Sequence, residues 1–375
     1  MRLFRCDRCG NALYFENWRC LQCGSDLAFL PDCMDLCAID PAPAEGPALW
    51  RRHRAPAGEA ARRWRLCRHH AQTQACNFAI PAHDTHPLCV SCRQTRVLPD
   101  LSAPGNTGRW YRLEVAKRRL FFTLARLGLV QPDPARAGPD QSGPVYRFLA
   151  DLPGQPVTTG HADGVITLNI AEADDDERVR RRVALHEPYR TLLGHLRHES
   201  GHYYWNRLVQ GTPALPAFRR LFGDERADYA QALQAHYARG DISGEGWQDA
   251  FISAYATAHP WEDWAETWAH YLHMVDLMET AASFETRLQV PAAGLQTDGV
   301  PVRAPDPFAG GPGDFETLVA RWVPLTLLVN SLNRSLGHGD AYPFALGPGA
   351  RAKLHLVHDR IQAWREGRAF SALPP

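Results

Sequence analysis

His198-Glu199-Ser200-Gly201-His202 is the stretch of this chain best suited to chemistry. On a helix, residues four apart share a face. Both imidazoles can then reach one metal ion, and Glu199 can reach a water held by that metal. This is the pattern of a zinc hydrolase. The surrounding residues read as a helix from about Pro188 to Gln210. Leu192, Leu196, Tyr203 and Val209 can pack, while His195, His198, His202 and Trp205 line a neighbouring face. Gly201, next to the second histidine, is expected to keep the metal side open. His195, one turn before His198, is expected to be a packed or hydrogen-bonded neighbour rather than a fourth ligand. Ser200 is polar where an apolar residue is expected, and it should not touch the ligands.

A catalytic zinc takes three protein ligands and a water. The metzincin arrangement needs Gly and then His shortly after the second histidine; Trp205 and Leu208 stand at those places, which excludes it. Two acids compete for the third position. Glu225 is 23 residues beyond His202 and Glu262 is 60 residues beyond it. Around Glu262 the chain reads as a second helix, opened by Pro260 and apolar at Trp264, Trp268, Tyr271 and Leu272. Glu262 and Glu266 are four apart and share its face. One carboxylate can bind zinc while the next accepts the free N–H of a ligand histidine and fixes its tautomer. No such pair follows Glu225, so Glu262 is the expected ligand and Glu266 its supporting neighbour. His270 and His273, further along, are expected either to support the ligands or to pack.

All ten cysteines precede residue 93. Cys6-Asp7-Arg8-Cys9-Gly10 and Cys20-Leu21-Gln22-Cys23-Gly24 are two C-x-x-C-G knuckles, the zinc-ribbon arrangement, with four soft ligands and no base nearby. They imply a closed structural zinc. Cys67, Cys76, Cys89 and Cys92 form a second cluster, expected to hold another structural zinc. Only Cys89 and Cys92 make a knuckle, so His69, His70, His83 and His86 stand as substitute ligands. Cys33 and Cys37 are left over and read as buried thiols.

The chain of 375 residues has zero formal net charge, unevenly spread. Residues 1–130 carry 19 Lys and Arg against 11 Asp and Glu; the remainder carries 22 against 30. The basic part, with Arg51-Arg52-His53-Arg54 and Arg62-Arg63-Trp64-Arg65, could contact nucleic acid through phosphates and stacking, contact a protein, or pair with the acidic remainder. Met1 to Cys6 lacks the apolar run of a signal peptide, and no stretch approaches the ~20 apolar residues of a membrane span. The expectation is a cytoplasmic protein with no membrane contact, where cysteines serve metal rather than disulfides.

Asp40 to Pro47 reads as a linker. Residues 109–129 read as a helix with Leu113, Ala116, Leu120, Phe121, Leu124 and Leu127 inward and Lys117-Arg118-Arg119 outward. Pro and Gly residues around 132–144 suggest a boundary there. Gly164 to Ile170, opened by Asp163-Gly164, is the best strand, and peptidase clefts often use an edge strand to bind extended substrate. Ala171 to Glu177 reads as a solvated acidic turn opening a helix. After a break from Ala304 to Gly313, Phe315 to Val329 reads as helical but interrupted at Pro324, and residues 350–367 as a last helix. Tyr342-Pro343-Phe344 between them reads as packing.

These residues resemble the gluzincin metallopeptidases, which combine H-E-x-x-H with a distal glutamate on a second helix. The whole chain is similar to a bacterial family of zinc-binding metallopeptidases with an N-terminal zinc ribbon. The likeness rests on the ribbon knuckles, Trp110 to Leu129, Thr159 to Gly164, Tyr189 to Trp205, Phe222 to Arg226 and Ala258 to His273. It implies an α+β, mostly helical chain: a ribbon over 1–40, a second cysteine cluster with basic region and connecting helix over 41–144, and a metallopeptidase domain over 145–375. The implied cofactors are one catalytic and two structural zinc ions. The implied mechanism has zinc on His198, His202 and Glu262, Glu199 as general base, and Tyr255 as donor to the developing oxyanion, with His259 as its competitor. The substrate would be a peptide or protein; a non-peptide amide is a further option. A different class of reading is a zinc-ribbon binding protein for nucleic acid or a protein partner, with a vestigial or regulatory H-E-x-x-H site.

Overall fold

The computed structural model describes residues 1–45, 48–138, 141–184, 191–239, 246–288, 302–309, 314–342 and 345–367. The chain forms two units, Met1–Thr158 with Thr167–Ile170, and Thr159–Ile166 with Ala171–Pro375. The first is rich in strands and the second is helical, so the chain is α+β.

The first unit begins with the pair β1 (Phe4–Arg5) and β2 (Ala12–Leu13), which flanks the first cysteine knuckle. A five-stranded sheet follows in sequence order: β3 (Leu27–Leu30), β4 (Asp35–Pro41), β5 (Trp50–Arg52), β6 (Trp64–Leu66) and β7 (Ala79–Pro81). Asp40 and Pro41, expected in a linker, lie in β4 and pair with β5. Phe29 also pairs with Phe78, which brings the end of the sheet back towards its start. Phe4, Phe15, Phe29, Phe78 and Phe122 pack together with most ring contacts edge to face. The helix α1 (Arg68–Thr73) lies between β6 and β7. A short strand, β8 (Thr95–Val97), runs parallel to β9 (Val145–Leu149).

The helix α2 spans Asn106–Arg126. Its expected apolar positions are buried, but its basic run is not a solvated face. Lys117 is fully buried and pairs with buried Glu114 at 2.8 Å. Arg118 donates to the Ala75 carbonyl at 2.6 Å. Only Arg119 lies towards the surface, where it meets Glu16 at 2.5 Å. The helix is enclosed on several sides, so these cations are paired inside the unit, as buried charges must be. The basic runs at residues 51–65 are matched within it in part. Arg52 bonds Asp7 at 2.9 Å and Asp35 at 2.8 Å, and His53 meets Asp40 at 2.8 Å. Trp64 is 1% exposed and donates to Asp32, so it has no face free for stacking on a base. Cys37 sits in the apolar cluster of Ala28, Leu30, Ile39 and Trp64, with Cys33 packed against it. Burial pushes the Cys33 thiol up to about 12, so it stays protonated and unreactive.

The second unit is built on α4 (Leu192–Leu208) and α7 (Pro260–Ser283), whose mutual packing is the largest in it. Around them lie α3 (Asp175–Ala184), α5 (Leu215–Phe222), α6 (Tyr229–Arg239), α8 (Phe315–Ser335) and α9 (Pro348–Arg365). The strand β10 (Gly160–Ala162) packs against α4. It turns into β11 (Val165–Asn169) through Asp163 and Gly164, both at positive φ as a two-residue hairpin turn requires. Thr191 caps α4 by accepting from the Gly194 N–H at 2.9 Å. The expected start at Pro188 lies outside the described residues, and the helix ends two residues before Gln210. Pro324 does not interrupt α8, which runs through it. A proline removes one helical hydrogen bond, and burial of Phe315, Leu318 and Trp322 before it and Leu325 after it offsets that loss. Pro343, Phe344 and Gly310–Gly313 lie outside the described residues.

Two tryptophans lock α7 onto α4. Trp264 donates its indole N–H to the Gly201 carbonyl at 3.0 Å, and Trp268 donates to the Ser200 hydroxyl at 3.0 Å. Ser200 is polar because it serves this contact. Gly201 does not open the metal side; it faces α7. A Cβ there would lie 2.8 Å from the Ala265 Cα and 3.2 Å from two atoms of Trp268. Elsewhere in a helix, Ala is favoured over Gly by about 1 kcal/mol; here the backbone of α7 cannot give way. Gly201→Ala should therefore destabilise the unit by about 1–3 kcal/mol, as overpacked cores do. Urea unfolding measures the loss, and a variant as stable as wild type would contradict the close crossing.

A second anchor is buried Lys353 on α9, 2.6 Å from buried Asp263 on α7. Lys353→Met leaves that carboxylate without its cation and should cost about 3–5 kcal/mol. The double variant Lys353→Met/Asp263→Leu should recover most of the loss in the same denaturation measurement.

Candidate metal centre

The α4–α7 crossing sets the register in which the two halves of the motif meet. His198 and His202 project from successive turns of α4, and Glu262 and Glu266 from successive turns of α7. One ligand atom each from His198, His202 and Glu262 lies within 4.8 Å of the others. His198 Nε2 is 3.0 Å from Glu262 Oε2, and His202 Nε2 is 3.5 Å from Glu262 Oε1. Glu262 Oε2 is buried and has no hydrogen-bond partner despite that approach. Two imidazoles and a carboxylate converging without hydrogen-bond geometry are the donor set of a zinc ion. Such a cation would satisfy the orphaned oxygen.

Neighbouring groups fix each ligand. His198 Nδ1 lies 2.7 Å from Glu266 Oε1, and Ser253 donates to Glu266 Oε2 at 2.6 Å. Glu266 thereby holds the Nδ1 proton and leaves Nε2 towards the metal position. Tyr229 donates to Glu262 Oε1 at 2.7 Å. The Trp261 ring lies 4.0 Å from the His202 ring, and His161 of β10 stacks 6.3 Å away on the same imidazole. Burial works against charge on Glu262, but His202 and His198 hold its carboxyl well below the ordinary value. Burial likewise opposes charge on Glu199. A hydrogen bond from His195 and the nearby imidazoles outweigh it, so its carboxyl sits below the usual range and is ionised at neutral pH.

The rival acid Glu225 is engaged elsewhere. Arg219 donates to both its oxygens, at 2.9 and 2.5 Å. Tyr255 lies beside His198, with ring centroids 5.9 Å apart. Burial, and then the Glu262 carboxylate, push its hydroxyl above the ordinary value, so it remains a donor. His259 is fully occupied: its Nδ1 accepts from Trp261 N–H at the start of α7, and its Nε2 meets the Ala227 carbonyl at 3.1 Å. His270 bonds Tyr342 at 2.5 Å, and His273 bonds Arg197, which also pairs with Asp276. These groups tie α4, α7 and the chain after α8 together.

His195 lies between two acids, 2.7 Å from Glu172 and 3.3 Å from Glu199. Glu172 is 1% exposed, so the stretch expected to be a solvated acidic turn is solvated only in part. Tyr229, Ser253, His161 and Glu172 were hidden from sequence reading. Each sits in a separate loop, strand or helix with no spacing to tie it to the metal helix.

In the first unit the structure gathers Cys6, Cys9, Cys20 and Cys23 into one cluster and Cys67, Cys76, Cys89 and Cys92 into another, each with sulfurs within 4.8 Å. Gly10 and Gly24 close the knuckles at positive φ, donating to the Cys6 and Cys20 carbonyls at 2.8 Å. The second cluster takes four cysteines and no histidine. His69 packs against Trp110, and His70 meets the Cys76 carbonyl. Among the described residues no helix is long and apolar enough to cross a membrane.

A family model described as "Putative zinc-binding metallo-peptidase" matches residues 106–360, and a zinc-ribbon domain model matches residues 3–103. Uncharacterised proteins of Mycobacterium bovis and Mycobacterium tuberculosis are 41% identical over 360 residues, covering 96% of this chain and 94% of theirs. No solved structure gives a significant match. By the extent of these matches, the chain belongs to the zinc-binding metallopeptidase family that those residues define, and it carries an N-terminal zinc ribbon.

Proposed function

We propose that this protein is a zinc-dependent peptidase of the gluzincin type that hydrolyses peptide bonds in a peptide or protein. The observation that carries the reading is the convergence of His198, His202 and Glu262 beside an ionised Glu199. His198, His202 and Glu262 would hold the zinc, and the two cysteine clusters would hold one structural ion each. When bound, zinc supplies Lewis acidity to a water and to the scissile carbonyl. Glu199 takes the proton from the attacking water and passes it to the leaving amine. The Tyr255 hydroxyl donates to the carbonyl oxygen as it gains charge. Glu266 and Tyr229 hold His198 and Glu262 in their orientations through the reaction, and Trp261 and His161 shield His202.

Metal analysis of the purified protein should find three zinc ions per chain, falling to two in Glu262→Gln and to two in Cys89→Ser. Glu199→Gln should keep three and lose hydrolysis of a mixed peptide library by roughly 10²- to 10⁴-fold, the contribution of a positioned general base. A wild type that cuts nothing, or a Glu199→Gln variant that cuts equally well, overturns the catalytic reading. Tyr255→Phe should lower kcat by about 10²-fold or more with KM little changed, since an oxyanion donor acts in the transition state. Equal kcat in the two would remove Tyr255 from the mechanism.

A further inference from the structure

Among the buried acids that the proposed chemistry does not use is Glu172. Glu172 lies in the turn just before α3, and its side chain is held from several directions. Its Oε2 is 2.7 Å from His195 Nδ1. Its Oε1 accepts from the Thr159 hydroxyl at 3.0 Å. The Arg178 guanidinium donates to its backbone carbonyl at 2.8 Å, fixing the turn. His195 Nε2 then lies 3.3 Å from Glu199 Oε1. The three side chains form a continuous line, Glu172–His195–Glu199, that ends on the candidate base.

We propose that Glu172 and His195 are positioning residues that clamp Glu199 Oε1 and leave Oε2 as the oxygen that exchanges the proton. This rests on the reading of Glu199 as the base. Neither residue contributes an atom to the metal trio. A glutamate has three rotatable bonds, and a base that must meet a water in one geometry loses rate when it wanders. The two-ended line removes that freedom, because Glu172 orients the ring and the ring orients Glu199. A neutral imidazole has only one N–H, so satisfying an acceptor at each end requires both nitrogens to carry protons. The surroundings allow this: burial opposes the charge, but the Glu172 carboxylate, and then Glu199, lift His195 to about 9.

Two readouts test the clamp. The first needs no substrate: two-bond proton–nitrogen spectra of the zinc-loaded, histidine-labelled protein at pH 7, with His195→Gln used for assignment. Wild type should show His195 protonated on both nitrogens. Glu172→Gln should return the ring to a singly protonated form, and Glu199→Gln should move the Nε2 signals, with zinc content unchanged in each. The second readout is hydrolysis of the peptide library. Glu172→Gln and His195→Ala should lower kcat by about 10- to 100-fold, as misplacement of a reacting group does, with KM nearly unchanged. His195→Gln, which keeps an N–H donor, should recover part of that loss.

His195 signals indifferent to both glutamate variants overturn the clamp, and so does wild-type kcat in His195→Ala. If wild type hydrolyses nothing, the peptidase reading fails, while the spectra still decide whether the clamp exists. If Glu172→Gln does not fold, judged by circular dichroism and zinc content, Glu199→Gln and His195→Ala decide the matter on their own.

Discussion

The close crossing of α4 and α7 at Gly201 and Ala265 is the constraint on which the site depends. Two helices approach this near only where one lacks a Cβ, and Gly201 provides that place. Trp264 and Trp268 then set the register by bonding the Gly201 carbonyl and the Ser200 hydroxyl. Register matters because each helix offers its functional groups one turn apart. A slip of one turn would set Glu266, rather than Glu262, between the histidines and leave His198 Nδ1 without an acceptor. The residues between His198 and His202 therefore hold the second helix in place.

Charged groups are buried around this crossing, and they persist there because they are paired. Arg197 meets Asp276, Lys353 meets Asp263, and His195 meets Glu172. A buried ion pair adds little net stability, since desolvation consumes most of its attraction, but breaking one is costly. Such pairs discriminate against other arrangements of the helices, because a shifted packing would strand a charge. Glu199, Glu262 and Glu266 add negative charge beside the imidazoles, and a dication among the ligands fits that balance.

The first unit solves a different problem. Its strands are short, and its apolar cores are a phenylalanine cluster and the patch around Trp64. Two cysteine clusters bring together segments that such cores hold weakly, and a zinc ion in each would tie them. Tyr14 and Leu21, beside the first cluster, remain exposed. Of the basic runs that look like a polyanion-binding surface, Arg52, His53 and Arg62 are bonded to Asp7, Asp32, Asp35 and Asp40 of the same unit.

What the sequence determined by itself was whatever local spacing encodes. The knuckles, the i and i+4 histidines and the i and i+4 glutamates declare their geometry within five residues, because a turn or a helix fixes it. The helices around them were legible for the same reason. Tertiary structure alone decided which distant groups meet. Tyr229, Ser253, His161 and Glu172 reach the site from elements that carry no periodic sign of it. Lys117 and Arg118 look like a solvated stripe until the chain closes around α2. Pro324 reads as a break until packing on both sides carries the helix through it. Gly201 was visible as a small residue, but its purpose was not. Whether a missing Cβ admits a ligand or a helix depends on what lies opposite, and that is settled only when the chain has folded.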